Sequence, residues 1–196
     1  MAPQLDKAAC VYTSCYCEEN VYLLSQSLLE KDKDDADAYH VVFISNPQET
    51  TAIWAQQKGH PVVWDYHVIL WHHRRNEIYD LDSVLPFPFH APDYLQESFH
   101  PSDARVPTTY RPRFRLIRAE AFVARFASDR PHMRDRTTGE WLSPPPTYPP
   151  LGTGMNLMQW RAMQDPVTAL DEINVQDGYG SVLTLSMFMK WITSQA

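Results

Sequence analysis

The segment Pro61 to Trp71, PVVWDYHVILW, constrains the fold of this 196-residue chain more than any other. Strand alternation puts Val63, Asp65, His67, Ile69 and Trp71 on one face and Trp64, Tyr66, Val68 and Leu70 on the other. Both faces are mostly apolar, so one long central strand is predicted over the whole segment. After the basic stretch His72 to Asn76, EIYDLD alternates again, with Ile78, Asp80 and Asp82 on one face, and the two runs read as a hairpin. A turn centred between His73 and Arg74 sets His67 opposite Asp80, while a turn one residue later pairs His67 with Asp82. The residues alone leave the register open, and His72 and His73 are expected in an exposed turn.

Other elements follow from period and breakers. Val21, Leu24 and Leu28 recur at helical spacing behind Cys17, with Ser14 as the expected cap and Glu18 and Glu19 at the positive end of the helix dipole. Tyr39 to Ser45 (YHVVFIS) and Arg113 to Arg118 (RFRLIR) are strand-like, the second directing Phe114 and Leu116, with Ala119 after it, into the core. Ala119 to Phe126 and Met155 to Met163 suggest short helices, and Val182 to Ile192 a final one. LPFPFHAPDY reads as proline-broken loop, SPPPTYPP (Ser143 to Pro150) must be extended, and DGYG (Asp177 to Gly180) marks a turn. With 44% hydrophobic residues the chain can fill one core, so a single catalytic domain over 1–196 is expected, with a flexible tail at about 1–9.

Charge and cysteine content narrow the function. A formal charge of −7 argues against a nucleic-acid footprint, which needs clustered Lys and Arg. No basic, apolar leader and no run of roughly 18 apolar residues is visible, so a protein free of membranes is expected. Three cysteines, two of them at Cys15 and Cys17, make a poor disulfide framework and suit a reducing compartment, cytoplasmic and also nuclear.

What remains is a thiol, an imidazole and an acid in separate contexts: Cys17 at a helix start, His67 on a strand, Asp80 on the next. That order fits cysteine-nucleophile acyl chemistry, with the thiolate favoured by the helix dipole and opposed by the neighbouring glutamates. An activated Cys17 would then alkylate faster than Cys10 or Cys15. Cys15 is expected to serve packing, and Asp82 to bond within the LPFP loop.

CVYTSCYCEENVY, PVVWDYHVIL, YDLDSVLPFP, FASDRPHM, PPPTYP and MNL, in this order from about residue 10 to 190, resemble landmarks of the protein N-terminal glutamine amidohydrolase family. The resemblance implies an α/β (α+β), papain- or transglutaminase-like fold, in which a Cys-bearing helix packs on a mainly antiparallel sheet. It further implies deamidation of N-terminal Gln to Glu with release of ammonia, feeding an N-degron pathway. By position it carries the nucleophile onto Cys17, the base onto His67 and the acid onto Asp80, in preference to Asp82. The chain departs from the family pattern at the basic turn His72 to Asn76 and in a longer stretch Gln164 to Gln176.

Selecting an N-terminal residue requires a counter-charge for the α-ammonium. Asp65, Glu18 and Glu19 are the nearest acids in sequence, and Trp64 could wall the cleft. FASDRPHM reads first as a structural Asp129–Arg130 turn. The expected partners are proteins or peptides with N-terminal Gln; no cofactor or metal is expected, and a monomer is. Two other classes fit the same letters: another cysteine hydrolase or acyl transferase, such as a peptidase or transglutaminase, and a noncatalytic module that binds protein N-termini.

Overall fold

The computed structural model describes residues 5–163, 165–175 and 178–194. Residues 1–4 of the expected tail, Gln164 and Gln176 at the bounds of the long stretch, and Asp177 of DGYG lie outside these. Helix α1 spans Cys17–Lys31, strand β1 Tyr39–Ser45, β2 Thr51–Ile53, β3 Val62–Trp64, β4 His67–His72, β5 Glu77–Tyr79 and β6 Phe89–His90. Then follow α2 (Ala91–Phe99), β7 (Arg113–Arg118), α3 (Ala119–Arg125), α4 (Leu157–Arg161), β8 (Ser181–Thr184) and α5 (Leu185–Ser194). Six strands form one sheet in the order β6-β5-β4-β1-β7-β8, all pairs antiparallel, and β2 and β3 form a separate ribbon.

Both faces of the sheet are covered, which explains the two-sided apolar strands. Val41 and Phe43 of β1 and Val68 and Leu70 of β4 pack under Val21, Leu24 and Leu28 of α1, Phe122 of α3 and Trp160 of α4. Val42, Ile44, Ile69 and Trp71 meet Tyr94, Leu95 and Phe99 of α2 and Phe188 and Ile192 of α5 on the opposite face. Phe114, Leu116 and Ala119 are buried as the pattern requires. Gly180 precedes β8 at φ 71°, where a Cβ would stand 1.9 Å from the Leu116 carbonyl oxygen, so only glycine lets β8 approach β7 there.

Four expectations are corrected. The long strand Pro61 to Trp71 is broken at Asp65 and Tyr66: its first part pairs with β2 and its second with β1 and β5. Asp65 and His67 therefore do not share one continuous strand face. Of the two registers left open, the hairpin takes the second, with Leu70 facing Tyr79, Trp71 facing Ile78 and His72 facing Glu77. His72 closes β4 and is buried, its Nε2 2.8 Å from Asp35, rather than exposed in the turn. A helix, α2, starts inside the supposed loop LPFPFHAPDY. Pro92 sits in its first turn, where the backbone N–H has no helical acceptor to lose, and Tyr94, Leu95 and Phe99 supply the apolar face. The final helix begins only at Leu185, because Val182 and Leu183 extend the sheet beside Arg115 and Phe114.

Candidate active site

Two locks fix the start of α1. Asn20 in its first turn accepts from the Thr13 N–H and donates to the Thr13 carbonyl, both at 2.8 Å. Glu19, fully buried, takes a two-pronged grip from Arg130, Nε to Oε1 and Nη2 to Oε2 at 2.8 Å each. Arg130 also donates to the carbonyls of Tyr148 and Pro149, so the proline run is tied to the same helix. Removing either partner of so buried a pair costs about 3–5 kcal/mol, which makes Glu19 a structural residue. Ser14 is not the cap: Tyr16 holds that position without a side-chain bond.

Cys17, half-buried, lines a cleft of about 650 Å³ with His67, Trp64, Asp82 and His132. Burial, then the charges of Glu18 and Asp82, holds its thiol well above the ordinary range, against the opposing hydrogen bond from the Val68 backbone. The expected dipole-favoured thiolate is thus overturned by burial first and by the neighbouring acids second, and Cys17 rests as a thiol that needs a base.

His67 opens β4, and its buried Nε2 donates to Asp80 Oδ1 at 2.9 Å. That leaves Nδ1 as the free ring nitrogen. Trp64 stacks on the ring at 6.2 Å between centroids and 18° between planes, fixing its tilt. Burial depresses the basicity of His67, but the charge and hydrogen bond of Asp80 outweigh it and the net shift is upward.

Asp80 reaches His67 although the strand register points to Asp82. β5 stops at Tyr79, and the Asp80 carboxylate turns the chain by accepting the Asp82 N–H at 2.9 Å, an Asx-type turn that brings Oδ1 to the imidazole. Oδ2 accepts from Gln56 Nε2 at 3.0 Å and from the Tyr94 hydroxyl at 2.8 Å. Burial works against ionisation of Asp80, but the charge and hydrogen bond of His67, then the Gln56 amide and the Asp82 N–H, hold its pKa down to about 2. Gln56 falls between the quoted segments and Tyr94 ends a stretch read as loop, so no local pattern announces either as a partner of Asp80. His67, Asp80 and Asp82 are close enough to share an ion, yet the four donors on Asp80 make it an acceptor for an imidazole. Asp82 itself accepts from the Tyr12 hydroxyl at 2.6 Å, and it is Ser83 that bonds the loop, through the Leu85 N–H.

Of the expected substrate contacts, Asp65 lines the cleft but is half-exposed and paired with Arg161 Nη1 at 2.9 Å. Glu18 is buried, with Oε2 accepting from the Tyr66 hydroxyl at 2.9 Å and lying 3.7 Å from Cys17 Sγ. Trp64 keeps a buried indole N–H without an acceptor among the described residues. FASDRPHM serves two ends: Arg130 is structural, while Pro131, His132 and Met133 line the cleft.

Cys15 differs most from expectation. It lies in the same cleft at φ 70°, and Lys58 Nζ donates to its sulfur at 2.7 Å. Burial opposes ionisation, but Lys58, Ser14 and Ser143 together bring its thiol below the ordinary range, whereas burial raises that of Cys10. Iodoacetamide near neutral pH is therefore expected to label Cys15 before Cys10 or Cys17, and Lys58→Ala to slow that labelling. Peptide mapping after brief alkylation reads the order; Cys17 labelled first contradicts it. Fast alkylation alone thus does not identify the nucleophile of this chain.

A cleft lined by a helix-terminal thiol and an acid-paired imidazole, in a mixed α/β fold with an antiparallel sheet, has the groups that acyl chemistry at a carbonyl requires. Sequence relationships agree and are more specific. The family described as N-terminal glutamine amidase matches residues 12–192. The chain is 43% identical over 189 residues to the protein N-terminal glutamine amidohydrolase of Homo sapiens, covering 92% of this chain and 86% of that one. Those of Bos taurus and Danio rerio are each 41% identical, over 95% and 92% of this chain and 89% and 88% of theirs. The chain belongs to the N-terminal glutamine amidase family.

Proposed function

We propose that this protein deamidates N-terminal glutamine through a Cys17–His67–Asp80 triad, on a scaffold of the papain and transglutaminase kind. The observation that carries this reading is the buried His67–Asp80 pair opening onto the cleft that holds Cys17. His67 takes the thiol proton at Nδ1 as the sulfur attacks the side-chain carbonyl carbon, forming a tetrahedral oxyanion. The backbone N–H of Cys17 and the unpaired indole N–H of Trp64 are the donors we assign to that oxyanion. Collapse of the intermediate breaks the C–N bond, His67 returns the proton to the departing ammonia, and a thioester remains. Water deprotonated by His67 then hydrolyses the thioester to Glu and regenerates the thiol. Asp80 holds the ring in one tautomer and stabilises the imidazolium. A new N-terminal Glu would feed an N-degron pathway, and a monomer in the cytoplasm or nucleus suits free thiols.

Mass spectrometry of a Gln-initiated peptide tests the activity. The expected outcome is conversion of amide to acid, one ammonia per peptide and an intact backbone. Backbone cleavage, or incorporation of an added amine in place of water, would assign the cleft to a peptidase or transglutaminase instead.

A further inference from the structure

Three acids around the cleft have a donor on each carboxylate oxygen, and Asp82 takes the Tyr12 hydroxyl on Oδ1. Glu19 is saturated by Arg130, Asp80 by four donors, and Asp65 by Arg161 and the Tyr66 N–H. Glu18 is fully buried, its Oε2 bonded to Tyr66, but its Oε1 has no hydrogen-bond donor among the described residues. His132 Nε2 lies 3.5 Å from that oxygen, and neither nitrogen of its ring has a hydrogen-bond partner among the described residues. His132 lines the cleft and Glu18 lies directly behind it, so an open carboxylate oxygen and an open imidazole side by side form a polar socket short of one donor.

Its position fits one ligand group. The four bonds from the α-nitrogen of glutamine to its side-chain carbonyl carbon span at most about 5 Å, and Glu18 Oε2 lies 3.7 Å from Cys17 Sγ. An ammonium seated on this carboxylate leaves the amide carbon within reach of the sulfur. We propose that Glu18, with His132 beside it, is the counter-ion that receives the α-ammonium of the substrate and so restricts the enzyme to N-terminal residues. This rests on the reading of the cleft as an N-terminal glutamine amidase.

The electrostatics of the thiol point the same way. A carboxylate next to a nucleophilic sulfur works against its ionisation, and Glu18 is the largest such charge on Cys17. A cation that arrives with the substrate cancels that opposition, so the thiol is released only when a free N-terminus occupies the socket. Binding and activation then depend on the same group.

The test compares a Gln-initiated peptide with the same peptide lacking only the α-amino group. The wild type should favour the ammonium form in kcat/KM by roughly 30-fold or more, the scale of an uncompensated buried charge, and Glu18→Gln should bring that ratio to near unity. Glu18→Asp, which keeps the charge but withdraws it, should reduce the ratio in part, and it carries the test if Glu18→Gln does not fold. A ratio unchanged in the folded Glu18 variants overturns the assignment, as does loss of the preference in Asp65→Asn with Glu18 intact. A wild type that releases no ammonia from the Gln-initiated peptide instead sinks the amidase reading itself, so the two failures are distinguishable.

Discussion

Cys17→Ala is expected to lose turnover of a Gln-initiated peptide by roughly 10⁵-fold or more, the scale seen when the nucleophile of an acyl-transfer site is removed. Without the sulfur no thioester forms, and a primary carboxamide in the cleft faces only water. The fold should survive. Cys17 is half-buried at the start of α1, and that start is fixed by the Asn20–Thr13 bonds and the Glu19–Arg130 grip, neither of which uses the sulfur. Circular dichroism melts of variant and wild type should therefore nearly coincide while the ammonia assay goes silent. Residual activity within about tenfold of wild type, with the fold intact, would move the chemistry to another residue, and Cys15 would be the first to examine. If the activity is absent from both proteins, the noncatalytic binding module becomes the better account.

Asp80→Asn should lower kcat/KM by about 10³- to 10⁴-fold, less than loss of the thiol, because nucleophile and base remain while the tautomer of His67 is no longer fixed. The pH profile gives a sharper test. His67 must be neutral to take the proton of Cys17, and Asp80 raises its pKa above 6.5, so the acid limb of kcat/KM in the wild type lies above that value. With a neutral amide at position 80, burial is opposed only by Asp82 and Glu18, the imidazole protonates less readily, and the acid limb moves to lower pH as the plateau falls. The thiol, held well above its ordinary range, places the alkaline limb late in both proteins. An acid limb that stays or moves upward in Asp80→Asn would show that Asp80 does not act through His67. Asp82→Asn is the matched control, since Asp82 bonds Tyr12 and not the ring, and its effect should be far smaller.

The order of these effects follows from contacts that differ in how far they were legible in the chain. Strand β1 was readable to its ends, because seven consecutive strand-forming residues buried on two faces leave no other period. The start of α1 at Cys17 was equally plain, since the 3.6-residue spacing begins there and the acids beside it suit a helix N-terminus. β4 was legible as a strand but not in extent: alternation runs unbroken through Asp65 and Tyr66, and nothing local records that the two parts pair with different partners. Helix α2 was hidden by its prolines, which mark a loop unless one of them falls in a first helical turn.

The amino-acid sequence by itself determined the residue types of the site, the strand and helix that carry them, and the family to which their order is similar. Local period and turn chemistry suffice for that, because they depend on neighbours only a few positions apart. Only the tertiary structure decided that Asp80 swings onto His67 from a register pointing elsewhere, that Gln56 and Tyr94 bond its other oxygen, and that Glu18 keeps a buried oxygen without a donor among the described residues. Hydrogen bonding and charge in a low-dielectric interior are set by groups distant in the chain, and no spacing along the chain encodes which of them will meet.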